Sequence, residues 1–513
     1  MMRLGDEETM DNTFTFIAIA LYFGAMLAIG FWASRKNNDL DDYVLAGRKL
    51  PPAVAALSAG ASDMSGWLLL GLPGAVFAFG LGEAWIAVGL TIGAWLNWKF
   101  VAPRLRSYTE VAKNSITIPS FLENRFRDRT HLMRIVAGAI ILVYFTFYVS
   151  SGVVAGGKFF ESSFGSTYLT GMLLVAGVTI VYTLFGGFLG ASLTDVVQGL
   201  LMLAALIAVP LVAIIHLGGW GEVVNSIQAA DEVLGDGTDR TSFLANTTWV
   251  GVVSALAWGL GYFGQPHIIV RFMALRSSRD AVMGRRVGIA WMAVCAFGAV
   301  MTALVGIAYF QANPGVSLDD PETVFLVLSQ ILFHPMVAGF VLAAVLAAVM
   351  STISSQLIVC SSALVEDLYK LAGRKASPRT ELWLGRGAVV VVAIVAILIA
   401  FDPEASVLDL VGFAWAGFGA SFGPIIVLAL FWKKANAWGG LSALVVGAVV
   451  VFWWGNMPDD AWGGMFQMYE IVPGFVLATI VGIAVSLLTA RHDPDLTAQI
   501  DAEFDEAVAV SKV

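Results

Sequence analysis

The sequence predicts an all-helical polytopic membrane protein. Hydrophobic residues make up 58% of its 513 residues, charged residues make up only 13%, and the mean hydropathy is +0.80. A soluble protein of this length needs a more polar surface than such a composition provides. Apolar runs of about 20 residues, long enough to cross the hydrocarbon core of a bilayer, recur along the whole chain. Lipid is therefore the expected solvent for most of this surface.

We predict thirteen membrane-spanning helices, which leave no room for a separate soluble domain. They cover residues 13–33, 53–79, 83–103, 134–160, 167–186, 195–215, 248–273, 286–311, 336–369, 383–401, 406–431, 436–455 and 471–490. The opening MMRLGDEETMDN is acidic and no small-residue cleavage site follows the first run, so we expect this run to stay as a helix rather than act as a signal peptide.

The loops between these runs alternate in charge, which predicts the topology. One set carries basic residues such as Arg104, Arg106 and Arg279, whereas the intervening set carries acids such as Asp231 and Asp320. Cytoplasmic loops are enriched in lysine and arginine. Since thirteen is an odd number, we expect the N-terminus outside and the C-terminus in the cytoplasm.

The second and seventh runs contain residues that interrupt helices. They read SAGASDMSGWLLLGLPG and SALAWGLGYFGQPHIIVRF, with glycine, proline and polar residues in the middle of apolar segments. Irregular backbone at membrane depth is tolerated only where it lines a protected cavity. Paired broken helices in corresponding positions indicate a transporter substrate site. Runs 2–6 and 7–11 each start with one, and because each set has an odd number of spans, the second set is predicted to be inverted.

The ninth run contains AAVMSTISSQLIVCSSA, in which hydroxyl groups crowd an otherwise apolar helix. Ser351 and Thr352 are candidate oxygen ligands for a small hard cation such as sodium. The alternative is that both hydroxyls bond back to carbonyls of the preceding turn, as serine and threonine often do in membrane helices. Both interpretations remain open from the residues alone.

Two acids and three aromatic residues inside the runs are further candidates. Intramembrane acids tend to mark ion paths, although Asp63 could instead be a structural acid held by backbone amides of an unwound segment. Asp195 begins the sixth run, where capping of that helix is the favoured interpretation. Tyr148, Trp258 and Tyr262 are ordinary core aromatics unless they converge on one cavity.

Other classes of function find little support. Cys295 and Cys360 lie inside predicted spans without metal or disulfide spacing, and we interpret both as small core residues. The sequence has no clustered metal ligands, phosphate-binding glycine loop or nucleophile elbow, so we do not expect an enzyme. A transporter-like sensor would need a folded output domain, for which the end of the chain is too short. A channel needs charge rings or a carbonyl filter, whereas broken repeats favour alternating access.

Four blocks in order give the chain a resemblance to a known family. SAGASDMSGWLLLGLPG, YTLFGGFLGASLTDVVQ, WGLGYFGQPHIIVRFMA and AAVMSTISSQLIVCSSALVEDLY resemble the solute:sodium symporter family, and within it the bacterial proline carriers, over nearly the whole length. The resemblance implies a LeuT-type core of ten helices formed by runs 2–11. It also implies a secondary active symporter that imports L-proline with sodium as the coupling ion. A family member that carries another amino acid, an organic acid or a sugar remains the alternative.

The resemblance also implies site residues. Sodium is expected at the carbonyls of Ala61, Met64 and Ala348 and the hydroxyls of Ser351 and Thr352, with Asp63 and Asp195 taking part in coupling. Proline is expected at Tyr148, Trp258, Tyr262 and Pro266, to which we add the neighbouring Ser65, Gly66, Trp67 and Gln265.

The expected location is the bacterial inner membrane, with membrane lipid and no nucleic acid as a partner. The expected organisation is an external tail, first helix and linker at 1–52, repeats at 53–215 and 248–431, two peripheral helices at 432–490 and an acidic cytoplasmic tail at 491–513.

Overall fold

The computed structural model describes residues 2–35, 45–235, 237, 239–245, 247–316, 318–369, 377–403, 405–458, 460–489 and 494–511. Parts of the predicted linker (36–44) and of the predicted tail (491–493 and 512–513) lie outside the described residues. Within the described part the regular structure is helical, and one isolated bridge joins Leu50 to Leu275. The helices are α1 (Met2–Ser34), α2 (Pro52–Asp63), α3 (Leu72–Phe79), α4 (Trp85–Leu96), α5 (Ala102–Val111), α6 (Ile118–Phe126), α7 (Leu132–Phe164), α8 (Tyr168–His216), α9 (Trp220–Leu234), α10 (Trp249–Ala257), α11 (Pro266–Met273), α12 (Asp280–Ala312), α13 (Val324–Leu332), α14 (Pro335–Ser362), α15 (Pro378–Ile399), α16 (Val407–Phe431), α17 (Ala437–Trp454), α18 (Ile471–Leu488) and α19 (Pro494–Ser511).

Ten helical segments among the described residues are long and apolar enough to cross a membrane, or eleven if one bent pair counts as a span. The number thirteen therefore stays a prediction. Part of the difference lies in α8, a helical stretch of 49 residues that covers the predicted fifth and sixth runs and consists of two helices joined at a kink. At 1.5 Å per residue it would be about 74 Å long if straight, far more than the ~30 Å core of a bilayer. Its backbone departs from helical geometry at Gly187, where φ is 58° and ψ is −162°. A positive φ costs glycine little because it has no Cβ.

The predicted break in the second run is present. Helix α2 ends at Asp63, and a π-helical turn at Trp67–Gly71 leads into α3. The segments Pro52–Asp63 and Trp67–Phe79 meet at an angle of 62°. Pro52 lies in the first turn of α2, where the missing N–H of proline costs no hydrogen bond. The break leaves the backbone between Asp63 and Trp67 free to make contacts outside its own helix.

The predicted break in the seventh run is also present. Helix α10 passes into a 3₁₀ turn at Trp258–Phe263, and α11 starts afresh at Pro266. Helix α4 lies directly against this turn, so a methyl group at Gly93 would overlap the carbonyl oxygen of Gly259. Because the seventh run is divided in this way, it does not form one long apolar helix. This is the second reason why fewer than thirteen spans are counted among the described residues.

Burial separates the central helices from those that face lipid. In the most apolar stretches of α14 and α16, 83% and 89% of the residues are buried, whereas the figure for α18 is 28%. Helices that are apolar all round and buried form the centre of a membrane protein. The centre is thus built around α14 and α16, while α1, α15, α17 and α18 expose much of their surface.

The loops meet at two ends of the bundle. At one end Lys158 pairs with Asp320 at 3.0 Å, and Glu322 accepts a hydrogen bond from the backbone N–H of Val407 at 3.1 Å. We call this the acidic end. At the other, the basic end, Arg48 donates to the carbonyl of Met273 and Arg134 pairs with Asp367. Which end faces the cytoplasm stays a prediction.

Candidate functional site

The junction between α2 and α14 brings together most of the predicted sodium ligands. The Ser351 hydroxyl donates to the carbonyl of Ala61 at 2.7 Å, and its oxygen lies 3.0 Å from the carbonyl of Ala348. The Thr352 hydroxyl donates to the same Ala348 carbonyl at 3.1 Å. All four residues are buried. The junction therefore offers two hydroxyls and two carbonyls, the oxygen types that a hard cation prefers.

The two interpretations of Ser351 and Thr352 are not exclusive. Both hydroxyls bond back to the Ala348 carbonyl within their own helix, as the structural interpretation expects. Ser351 in addition reaches across to Ala61 on the broken helix. Met64, the fifth predicted ligand, is buried just beyond the end of α2. No contact joins its carbonyl to Ser351 or Thr352 among the described residues.

Asp63 connects the break in α2 to three of the predicted substrate residues. One oxygen of its carboxylate accepts a hydrogen bond from the Tyr262 hydroxyl. Its backbone carbonyl accepts hydrogen bonds from the Trp67 indole at 3.0 Å and the Tyr148 hydroxyl at 3.4 Å. The other carboxylate oxygen is buried and has no hydrogen-bond partner among the described residues. A tyrosine hydroxyl, rather than the backbone amides that a purely structural acid would use, is thus the contact seen here.

The predicted aromatic residues from the 3₁₀ turn after α10 are organised by Trp415 on α16. The Trp415 ring stacks against Trp258 with centroids 6.5 Å apart and meets Tyr262 edge-on at 5.1 Å. Its indole N–H donates to the carbonyl of Trp258 at 2.7 Å, while its own carbonyl accepts from the Gln265 amide at 3.0 Å. Trp258 and Tyr262 therefore belong to one buried cluster around Trp415, and Tyr148 is joined to it through Asp63, which accepts hydrogen bonds from both Tyr148 and Tyr262.

The other predicted substrate residues lie close to the two breaks. Pro266 starts α11, and the next residue, His267, packs edge-on against Tyr148 with ring centroids 5.8 Å apart. Neither ring nitrogen of His267 has a hydrogen-bond partner among the described residues. A side chain at Gly66 would press against Ala155, with Cβ atoms 2.9 Å apart, so the small residue permits close packing there.

Ser65 and Trp67 support the break in α2 itself. Both are buried, and the Ser65 hydroxyl lies 3.5 Å from the backbone nitrogen of Trp67. The Trp67 indole donates to the carbonyl of Asp63. These contacts hold the shape of the broken segment.

Asp195 does not cap a helix, and that interpretation is wrong. It lies inside α8, eight residues beyond the kink at Gly187, so no helix begins at Asp195. Its carboxylate is fully buried and accepts hydrogen bonds from the Ser58 hydroxyl at 2.6 Å and the Arg271 guanidinium at 3.1 Å. Arg271 also donates to the Ser355 hydroxyl at 2.6 Å. This ionic cluster ties α2, α8, α11 and α14 together.

Two cavities lie near the candidate substrate residues, one at each end of the bundle. At the acidic end a cavity of about 750 Å³ reaches Trp258. At the basic end a narrow cavity of about 20 Å³ reaches Pro266 and is lined also by Thr117 and Asp367.

A family model for the sodium:solute symporter family matches residues 43–447. The chain is a member of this family. Among similar proteins, the high-affinity proline transporter PutP of Bacillus subtilis is 53% identical over 93% of this chain and 98% of its own length. The osmoregulated proline transporter OpuE of the same organism is 50% identical over 93% and 95%, and a sodium/proline symporter of Staphylococcus aureus is 48% identical over 94% of each chain. Sodium is the coupling ion of this symporter, and it is not an enzyme.

Solved structures place the symporter in the LeuT-type fold with its inverted five-helix repeats. A sodium-coupled sialic acid symporter in a substrate-bound, outward-open state aligns with a TM-score of 0.77 and 21% identity, over 94% of this chain and 99% of that one. The nucleobase-cation-symport-1 transporter Mhp1, in a closed conformation, aligns with a TM-score of 0.53 and 14% identity over 90% and 98%. At these identities the similarity concerns the fold alone.

Two residues of the site were missed by the interpretation of the sequence. Arg271 is a charge inside a predicted span, and intramembrane charges are functional candidates by default, so this signal was present. Trp415 lies in an apolar run among glycines and alanines, and nothing in its local pattern separates it from a core aromatic.

Proposed function

We propose that this symporter imports L-proline together with sodium. Three relatives that are 48–53% identical over nearly the whole chain are named as proline transporters. Each residue type expected at the proline site is present, and Trp258, Tyr262 and Gln265 all contact Trp415. An apolar pyrrolidine ring fits aromatic walls, while its carboxylate and ammonium fit hydroxyls and the dipoles of broken helices.

The observation that carries the proposal is the double role of one turn of α2. The Ala61 carbonyl faces Ser351 in the ion junction, and two residues later Asp63 contacts Tyr262 in the aromatic cluster. An ion that orders Ala61 therefore also orders Asp63. Coupling between sodium and proline then needs no long path through the protein.

The expected coupling is reciprocal. Sodium bound between α2 and α14 stabilises the broken segment and thereby the proline site, so proline must tighten sodium binding by the same factor. Each sodium ion that enters gains about 2.3 kcal/mol per 100 mV of inside-negative potential, before its concentration gradient is added. One sodium ion is enough to concentrate a zwitterion substantially.

We assign the acidic end to the outside and the basic end to the cytoplasm of a bacterial inner membrane. The support is the excess of arginine and lysine in loops of the basic end. The N-terminus is then external and the C-terminus cytoplasmic. The two repeats at 53–215 and 248–431 form the transport core, and 432–490 forms a peripheral pair of helices.

The test is uptake of labelled proline into proteoliposomes that contain the purified symporter, with and without an inward sodium gradient. Unlabelled amino acids, organic acids and sugars serve as competitors. We expect accumulation that requires sodium and is blocked by proline. Sodium-driven uptake of a different solute, without uptake of proline, would support the assignment as a sodium symporter but show that proline is not its substrate.

A further inference from the structure

Helix α19 carries only acidic charge, and it lies on the basic end of the bundle. Its sequence PDLTAQIDAEFDEAVAVS contains aspartate and glutamate but no lysine or arginine. Ile500, Phe504 and Ala507 are four and three residues apart, which places them on one face of the helix, and all three are buried. An acidic helix is not attracted to the anionic lipid of a cytoplasmic leaflet. Its apolar face packs on the protein instead.

Phe504 is the centre of this apolar face. Its ring meets the Tyr108 ring of α5 edge-on, with centroids 6.0 Å apart and an interplanar angle of 82°. The guanidinium of Arg125 on α6 lies 5.3 Å from the centroid of Phe504. Arg125 in turn donates from Nε to the Ala429 carbonyl of α16 at 3.0 Å. Phe504 therefore covers a seam at which α5, α6 and α16 meet.

Two ion pairs hold α19 on either side of this seam. Glu503 pairs with Arg127, which directly follows α6. Asp505 pairs with Lys433, two residues beyond α16, at 2.6 Å. The side chains of Glu503 and Arg127 are 23% and 20% exposed, whereas those of Asp505 and Lys433 are 65% and 41% exposed, so water screens the first pair less. Helix α19 is thus joined to the first repeat and to the end of the last helix of the second repeat.

Helix α5 is in turn joined to the broken helices. The Ser107 hydroxyl of α5 lies 2.6 Å from the hydroxyl of Ser278, in the segment that follows α11. The same segment contacts the start of the second run, because the N–H of Leu50 donates to the Ala274 carbonyl at 3.1 Å. Alternating access moves one set of helices against the other around a fixed site. A displacement of the broken helices at the basic end therefore carries α5 with it and opens the seam under α19.

We propose that α19 is a strap that holds the basic end closed, that it must loosen before this end opens, and that ionic strength at this end sets how firmly it holds. The proposal rests on the proposed function only in the assignment of the basic end to the cytoplasm. Salt screens the ion pairs of Glu503 and Asp505, whereas the burial of Phe504 does not depend on charge. Rising salt therefore loosens the strap without releasing it.

The experiment measures how fast the narrow cavity at the basic end becomes accessible. The reporter is Val359→Cys in a Cys295→Ala/Cys360→Ala background, because Val359 lines this cavity. The chain is labelled with the uncharged reagent N-ethylmaleimide in nanodiscs without sodium. Potassium chloride is raised from about 10 mM to about 1 M, which shortens the Debye length from about 30 Å to about 3 Å. We expect the labelling rate to rise about two- to fivefold. Sorbitol at equal osmolality should leave the rate unchanged, and an equal rise with sorbitol would overturn the role of ionic strength.

Substitutions in α19 test the contacts themselves. Glu503→Arg should raise the labelling rate at low salt about two- to fivefold and remove most of the salt dependence. The double variant Arg127→Glu/Glu503→Arg restores the pair in reverse and should return both values toward those of the reporter chain. Phe504→Ala, which changes no charge, should raise the rate at every salt concentration. Glu506→Arg is the matched control, since it makes the same charge change at an exposed position of α19.

Two outcomes would overturn the strap. One is a labelling rate that responds neither to salt nor to Glu503→Arg and Phe504→Ala. The other is a shift in Glu506→Arg as large as that in Glu503→Arg, which would assign the effect to the net charge of the helix rather than to its contacts. In right-side-out vesicles only salt on the inside should change the rate, and a response to outside salt alone would reverse the assigned orientation.

Labelling needs no transported solute, so its result is separate from the identity of the substrate. A chain that takes up no proline but is labelled in the expected way would keep the strap and lose proline as its substrate. A chain that takes up proline with sodium while its labelling ignores salt and both substitutions would keep the proposed function and lose the strap.

Discussion

Replacement of Ser351 by alanine removes one oxygen from the junction between α2 and α14. In the structure this hydroxyl donates to Ala61 at 2.7 Å, so a sodium ion must turn the hydroxyl hydrogen away and use a lone pair of the oxygen. Interactions of a hydroxyl with a charged group contribute about 1.5–3 kcal/mol. We therefore expect the sodium concentration for half-maximal uptake to rise roughly 10- to 150-fold. At saturating sodium the maximal rate should recover, because the aromatic cluster is intact.

The assay is sodium activation of proline uptake in proteoliposomes at a fixed, saturating proline concentration. Ser329→Ala is the matched control, since its buried hydroxyl donates to the Phe325 carbonyl at 2.6 Å within its own helix and forms no hydrogen bond to α2 among the described residues. A half-saturation constant for Ser351→Ala within about twofold of the wild type would refute the role of Ser351 as a ligand. If the sodium half-saturation constant of Ser329→Ala shifts equally, the effect comes from the loss of a hydrogen bond within a helix and not from the loss of a sodium ligand.

Further substitutions test the neighbouring contacts. Asp63→Asn should abolish sodium-driven uptake while leaving the protein folded, because the neutral amide cannot provide the charge that Tyr262 contacts; uptake that stays sodium-dependent would contradict this role. Tyr262→Ala should lower the equilibrium affinity for proline more than that for sodium, since it removes a wall of the cluster. Equal losses of both affinities would indicate general disruption of the fold. Arg271→Met should leave Asp195 buried without its counter-charge and destabilise the protein by about 3–5 kcal/mol. The double variant Arg271→Met/Asp195→Asn should recover part of the loss in thermal unfolding of the purified protein, and no recovery would argue against the ion pair.

Both helix breaks could be predicted from local chemistry. The glycines and polar residues between Ser58 and Gly74, and the glycines with Pro266 in the seventh run, weaken a continuous helix within a few residues. Such effects are local, so a sequence window detects them. The hydroxyls of Ser351 and Thr352 were likewise visible as polar groups in an apolar run, although their specific ligand role came from the family resemblance.

The mistaken role of Asp195 shows where such reasoning fails. The apolar pattern changes near this residue, which suggested a new helix, but the backbone bends at Gly187 and remains helical beyond it. The partners Ser58, Arg271 and Ser355 are distant in sequence, and only tertiary packing brings them to the carboxylate. Trp415 was missed for the same reason: its contacts with Trp258 and Tyr262 arise from the packing of α16 against a broken helix.

The Arg271 cluster has a consequence for the kinetics of the transport cycle. One guanidinium holds groups on three other helices, Asp195, Ser58 and Ser355, through hydrogen bonds of 2.6–3.1 Å. Such bonds weaken steeply when stretched, so a shift of α11 by an ångström or so would loosen all of them together. Partial displacement is then the least favourable arrangement, and the helix has either all of these partners or none. Movement at this point of the protein should occur as a discrete jump between two arrangements, with a waiting time set by the simultaneous loss of the bonds, rather than as gradual drift.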